Sequence, residues 1–152
     1  MSGDHHLIFA IDEQHFAVPA SAVEHVIRAV QPAYPLDAPD LILGLINMGG
    51  AVVPLINIRK QFGLPERPIR ESDRIILCRA CGFSLAFAVD KIAGVDLLYP
   101  EPAIDPETIY PEMRRYITGA ATFEHQTVFI YDIDTLIPQT TLEQAKLAIE
   151  TV

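Results

Sequence analysis

Apolar residues alternate with period two through most of the chain. Leu7, Phe9 and Ile11 share one face, and Phe16 and Val18 resume it after the polar stretch "DEQH". This pattern predicts a β-hairpin. Leu45 to Met48 and Ala51 to Ile56 read as two further strands. Gly49-Gly50 joins them, and two residues that both tolerate positive φ suit a two-residue hairpin loop of the primed type. The preceding "LDAPDLILG" reads as a loop with one short helical turn. "NIRKQFG" predicts a short helix: Asn57 can cap it, Ile58 and Phe62 share a face, and Gly63 can end it before Pro65. "RIILCRACGFSLAFAV" predicts a third hairpin turning at Ala80 to Gly82. "YPEPAIDPETIYPEM" reads as a long irregular connection, and "ITGAATFEHQTVFIYDI" as a last hairpin. In the tail, "TTLEQAKLAIETV" predicts a helix over 139–152, with a capping box at Thr140 and Glu143. Its apolar stripe of Leu142, Ala145 and Ile149 must dock on the body, because so short a helix is not stable alone.

The two halves echo each other. Gly44, Asn57, Ile58 and Phe62 are spaced as Gly119, Asp132, Ile133 and Ile137 are. "FAV" closes a first hairpin at 16–18 and again at 87–89. A repeated unit of hairpin, loop, glycine, hairpin and short capped helix implies two similar small β-barrels.

Composition narrows what such a protein can do. A chain of 152 residues, half of them apolar, supports one domain or two small lobes on one core. A net charge of −9 opposes contact with nucleic acid. Arg67, Arg70 and Arg74 gather in one stretch, read either as a solvated loop or as a charge-steered protein contact. The start "MSGDHHLIFAIDEQHF" lacks the form of a secretory signal, and no apolar run approaches the ~20 residues of a membrane helix. The expected location is the cytoplasm, with no insertion into the membrane.

The candidate chemistry is sparse. Gly49-Gly50 leads into a strand, without the Lys-Ser/Thr and helix of a phosphate loop. Cys78-x-x-Cys81 supplies two thiols where structural zinc takes four ligands, and no histidine has a ligand's spacing. The pair straddles a hairpin instead of opening a helix, so packed, inert cysteines are expected. A thiol redox or metal-binding protein built on Cys78 and Cys81 stays open as the alternative of another class. Asp90, Asp96, Asp132 and Asp134 stand at strand ends, where carboxylates cap or solvate. No catalytic set converges, so a binding module is expected, with no cofactor and no metal.

The pattern resembles the CheW family of chemotaxis coupling proteins over about residues 7–137. "GLINMGGAVVPLINIRKQFGL" is similar to the family stretch "G-x-I-N-L-R-G-x-V-V-P-V-I-D-L-R-x-x-F-G". "FAVPASAVEHVI", "FAVDKIAGV" and "YITGAATFEHQTVFIYDIDTLI" resemble its other segments. The resemblance implies a mainly β fold of two intertwined, five-stranded SH3-like barrel lobes sharing a core over 7–138. A flexible tail over 1–6 would precede them, and the C-terminal helix would follow. It also implies a non-enzymatic adaptor joining the cytoplasmic tip of a chemoreceptor to the regulatory domain of a CheA-type histidine kinase at membrane-associated receptor arrays. Val23, Val26 and Ile27, with Leu45, Ile46 and Asn47, would line the receptor groove. Gly44, Asn57, Phe62, Gly63 and Gly119 would be structural. The chain departs from the family pattern at Gly49, where arginine is usual, and at Asn57, where aspartate is. Asn57 caps as well as aspartate does. Gly49, beside Gly50, removes a cation from the tip of the turn. This leaves a second binding reading: a divergent scaffold that holds kinase or other CheW-like proteins and couples receptors weakly.

Overall fold

A computed structural model describes residues 3–34, 40–80, 82–101 and 116–136. Its strands are β1 (Asp4–Ile11), β2 (Gln14–Pro19), β3 (Val23–Arg28), β4 (Ile42–Met48), β5 (Ala51–Ile56), β6 (Arg74–Ala80), β7 (Phe83–Val89), β8 (Lys91–Leu98), β9 (Ile117–Phe123) and β10 (Gln126–Tyr131). Short helices α1 (Ile58–Gln61) and α2 (Ile133–Leu136) follow β5 and β10. The strands form two five-stranded mixed sheets, ordered β8-β1-β2-β10-β9 and β3-β6-β7-β5-β4. The two orders are one pattern. Exchanging β1-β2 with β6-β7, β3 with β8, and β4-β5 with β9-β10 turns the first sheet into the second. Each sheet therefore takes two strands from one sequence repeat and three from the other, and the halves interlock.

The glycines of the repeat show why it is legible. Gly44 pairs with Leu55, and Gly119 with Ile130, each beside a register shift in its strand pair. At that point another stretch of backbone crosses closely. Ala33 and Leu45 exchange hydrogen bonds of 2.8 and 2.7 Å, and Glu101 and Ala120 exchange bonds of 2.8 and 2.9 Å. A Cβ on Gly44 would stand 2.8 Å from the Ala33 carbonyl oxygen, and one on Gly119 would stand 2.8 Å from that of Glu101. These bridges tie the chain leaving β3 to β4, and the chain leaving β8 to β9, which closes each sheet into a small barrel. The "FAV" echo proves to be out of register. Leu55 lies beside Ala86 and Ile130 beside Ala17, so Ala17 answers to Ala86 and Phe16 to Leu85.

Each barrel has its own small core, one of Ile46, Val53, Leu55, Ile75, Leu77 and Ala86, the other of Ile8, Ala17, Leu98, Val128 and Ile130. A larger core lies between the sheets and holds Leu7, Phe9, Ile11, Phe16 and Val18 of one against Ile76, Cys78, Leu85 and Phe87 of the other. Rings of Phe9 and Phe87 meet across it at 5.5 Å, and Phe62 stacks on Tyr131 at 4.7 Å. Burial at this level stabilises by about 1.5–3 kcal/mol per large side chain. The alternation predicts one buried face on β1, but Ile8 and Ala10 are buried as well, because the strand is covered on both sides.

Several local expectations meet their outcome here. Gly49 and Gly50 have φ of +61° and +95°, as a primed turn requires. Asn57 caps α1, its Oδ1 accepting from Lys60 N at 3.2 Å, Phe62 is fully buried, and Gly63 ends the helix at φ +72°. Ile42 to Gly44, expected in a loop, instead open β4, since the register shift at Gly44 lets the strand run through the glycine. Of the stretch 1–6 expected as a tail, Asp4 to His6 belong to β1, where Leu98, Leu97 and Asp96 of β8 pair with them. Cys81 and the helix expected over 139–152 lie outside the described residues.

Candidate functional site

Strand β3 is an edge strand with unusual exposure. Directly opposed residues of an antiparallel pair point to the same face. Val23 opposes Cys78, Val26 opposes Ile76 and Arg28 opposes Arg74. Cys78 and Ile76 belong to the core between the sheets, so Val23, Val26 and Arg28 line the edge where that core reaches the surface. Val23 is half-buried against it, while Val26 is 40% exposed. Ile27 opposes Ile75 and packs on the barrel's own core. The residues expected in one groove thus divide: Val23 and Val26 face the inter-sheet edge, and Ile27 faces the barrel interior.

Leu45, Ile46 and Asn47 lie on β4, at the far edge of the same sheet order. Leu45 and Ile46 are 4% and 3% exposed. Asn47 is exposed, but its Oδ1 accepts from Gly50 N at 2.8 Å and so braces the glycine turn. Around them opens a mainly apolar recess of about 430 Å³, lined also by Ala33, Tyr34, Gly50 and Val52. Tyr34 is 65% exposed at its rim. No signal in the alternation marks Tyr34; its proximity to Leu45 comes from the Ala33 bridge.

The charged residues form an inter-sheet clasp that strand-end aspartates alone do not reveal. Arg59, on α1, donates to Asp12 at 3.0 Å and to Asp90 at 2.7 Å. Asp12 sits in the turn of β1-β2, and its backbone N–H donates to Asp90 at 2.8 Å. Arg67 holds Asp73 through two 2.8 Å bonds and also reaches Asp90. Burial works against the charge on Asp90. The Asp12 N–H and the Arg59 and Arg67 guanidinium groups outweigh it, and the carboxyl lies below the usual carboxylate range. Asp73 lies low for the same balance, with Arg67 and the Arg70 N–H outweighing burial. The cavity beside the clasp is about 40 Å³, far smaller than the ~300 Å³ at which small-molecule sites begin. Of the expected arginine group, Arg67 is locked into this clasp, while Arg74 donates to the Ser72 and Asp73 carbonyl oxygens and, among the described residues, to no carboxylate.

Reactive chemistry finds no support among the described residues. Burial, reinforced by the Glu24 charge, pushes the Cys78 thiol far up, which withholds the thiolate that redox or metal chemistry needs. No three metal-ligating side chains gather among the described residues. Among those residues no helix is long and apolar enough to cross a membrane. Exposed apolar strand edges and an apolar recess are the kind of surface at which proteins make contacts.

Known proteins point the same way. The family model of the CheW-like domain matches residues 5–141. The Chemotaxis protein CheW of Thermotoga maritima is 26% identical over 140 residues, 91% of this chain and 90% of that protein. The Chemotaxis protein CheW of Bacillus subtilis is 23% identical over 146 residues, 95% of this chain and 93% of its own length. Among solved structures, the scaffolding protein TtCheW from Thermoanaerobacter tengcongensis shares the fold with a TM-score of 0.76 at 23% identity, over 93% of this chain and 96% of that one.

Proposed function

The chain belongs to the CheW-like domain family, and from that premise we propose how its surfaces are used. It is a non-enzymatic adaptor of chemotaxis signalling, a scaffold that couples receptors to a CheA-type kinase. In our reading the cytoplasmic tip of a chemoreceptor docks along β3, and the kinase's regulatory domain packs against a barrel elsewhere. The work is done in the cytoplasm, at membrane-associated receptor arrays, by residues 7–138 acting as one unit. The observation that carries this reading is Val26, an apolar side chain 40% exposed where the inter-sheet core reaches the surface. An apolar partner side chain would complete that core.

Val26→Asp is the test. It places a charge to be desolvated at the contact, and losing an interface anchor costs about 1–3 kcal/mol. Val26 is a cleaner probe than Val23, which also supports the core. Val95 occupies the equivalent place on β8, opposite Leu7, and is 60% exposed. In a titration against a chemoreceptor-tip fragment, Val26→Asp should weaken binding while Val95→Asp leaves it unchanged. Equal effects of the two variants, or no effect of either, would refute the assignment to β3.

A further inference from the structure

Arg28 and Arg74 stand directly opposite each other on β3 and β6. Like charges at directly opposed positions destabilise a strand pair. Among the described residues, neither guanidinium has a carboxylate in ion-pair reach, although Arg59, Lys60 and Arg67 all have one. The protein as a whole carries a net charge of −9, so carboxylates are plentiful. The fold does not require the pair. The equivalent position on β8 is Leu97, opposed by His5. Arg74 is also held in place: its Nη1 donates to the Ser72 and Asp73 carbonyl oxygens at 3.1 and 3.0 Å, while among the described residues Nη2 and Nε meet no acceptor. Arg28 is exposed, on the same face as Val26.

We propose that Arg28 and Arg74 form a carboxylate-binding subsite within the docking edge, and that the segment docking there is amphipathic and acidic. Its apolar residues cover Val26, and a Glu or Asp side chain is held between the two guanidinium groups. A carboxylate between them replaces repulsion with charge-assisted hydrogen bonds, for which the guanidinium fork is well shaped. The cost borne by the free protein then becomes a gain only in the complex. The proposal rests on the reading of β3 as the receptor-docking edge, and it adds the chemistry that edge selects.

The test uses the full chain and two forms of a fragment from a chemoreceptor tip, one native and one, the glutamine fragment, with its glutamates changed to glutamine and its aspartates to asparagine. At low salt, Arg28→Glu should bind the native fragment about tenfold more weakly than the parent protein does, and the gap should narrow as salt is added. Against the glutamine fragment the two proteins should agree within about twofold, since additive effects leave no coupling. Arg28→Glu should melt at the same temperature as the parent protein or higher, because it sets a carboxylate opposite Arg74. Equal binding of the native fragment by parent and variant at low salt would overturn the subsite and leave the docking edge standing. A parent protein that binds neither fragment would overturn the docking edge and the subsite with it. A clear fall in the variant's melting temperature would also overturn the subsite, by giving Arg28 a structural task.

Discussion

The two sequence repeats fold alike and diverge where they meet solvent. Gly44 and Gly119 do the same work, each admitting a crossing backbone whose carbonyl oxygen would stand 2.8 Å from a Cβ. Val23 and Ile92 correspond, each the last pair before a register shift against β6 or β1. Beyond them, Arg28 answers to Leu97. The recess beside β4, lined by Leu45, Ile46 and Val52, answers to one of about 390 Å³ beside β9, where Ala120, Ala121 and Thr127 take those places and Glu101 stands at the rim. Backbone approach admits few residue types, so both repeats keep glycine there. The surface admits many, so differences at equivalent positions separate what partners read from what folding needs.

The largest effect should come from removing what the repeats share. Gly44→Ala forces a methyl against the Ala33 carbonyl and against Pro32 Cβ at 2.7 Å. Backbone cannot swing aside as a side chain does, so we expect a loss of about 2–3 kcal/mol. Gly119→Ala meets the Glu101 carbonyl, but its nearest proline atom stands 3.6 Å away, so about 1–2 kcal/mol is expected. Urea unfolding of the two variants measures both. A cost at one glycine alone would break the equivalence.

The next prediction concerns an asymmetry. Arg59 of α1 holds Asp12 and Asp90, whereas the equivalent residue of α2 is Asp134. The clasp therefore fastens the sheets on the α1 side. Arg59→Ala leaves the partly buried Asp90 and the exposed Asp12 short of a partner and should cost about 1 kcal/mol, less than for a fully buried pair. The pH dependence has a definite sign. Asp73 and Asp90 have folded-state carboxyls below their usual range. Their contribution is complete above the unfolded value of about 4 and is lost as pH falls through the folded values. Stability should therefore fall from pH 4 downward, and less steeply in Asp90→Asn. Identical slopes for parent and variant in urea titrations between about pH 6 and 3 would contradict the clasp.

Much of this was legible in the chain, and the misses have physical causes. Hairpins with one strongly apolar face announce themselves by alternation, as at Leu7, Phe9 and Ile11. β3 and β8 do not: "VEHVIR" has apolar residues facing the core edge and the barrel interior with charges between, so no single period emerges. They were reachable only through family resemblance. The glycine repeat was visible because its cause is local and steric. The clasp was not, because Asp12, Arg59 and Asp90 are far apart in sequence and meet only when the sheets stack. The groove residues divided for a related reason: sequence shows that Leu45 and Ile46 are apolar, but not which face of β4 the barrel closes over.

The smallest effect concerns the turn that departs from the family pattern. Gly49-Gly50 corresponds to Glu124-His125 between β9 and β10, which adopt φ of +50° and +67° without glycine. The turn thus accepts side chains, and a Cβ at Gly49 would meet nothing within 4 Å. Gly49→Arg should therefore fold, at a cost of about 1 kcal/mol for an L-residue in the left-handed region. Its guanidinium would project beside the apolar recess, where it could meet a partner's carboxylate or carbonyl oxygens. At an exposed rim the gain in affinity should be about 1 kcal/mol or less and should fade with salt. Calorimetric titration against a kinase regulatory domain or receptor fragment from a typical chemotaxis system, with a melting curve of the free protein, separates the two effects. Tighter, salt-sensitive binding with a slightly lower melting temperature is expected. Unchanged affinity would mean that partners do not read this turn, and would favour a divergent scaffold that holds kinase or CheW-like proteins and couples receptors weakly.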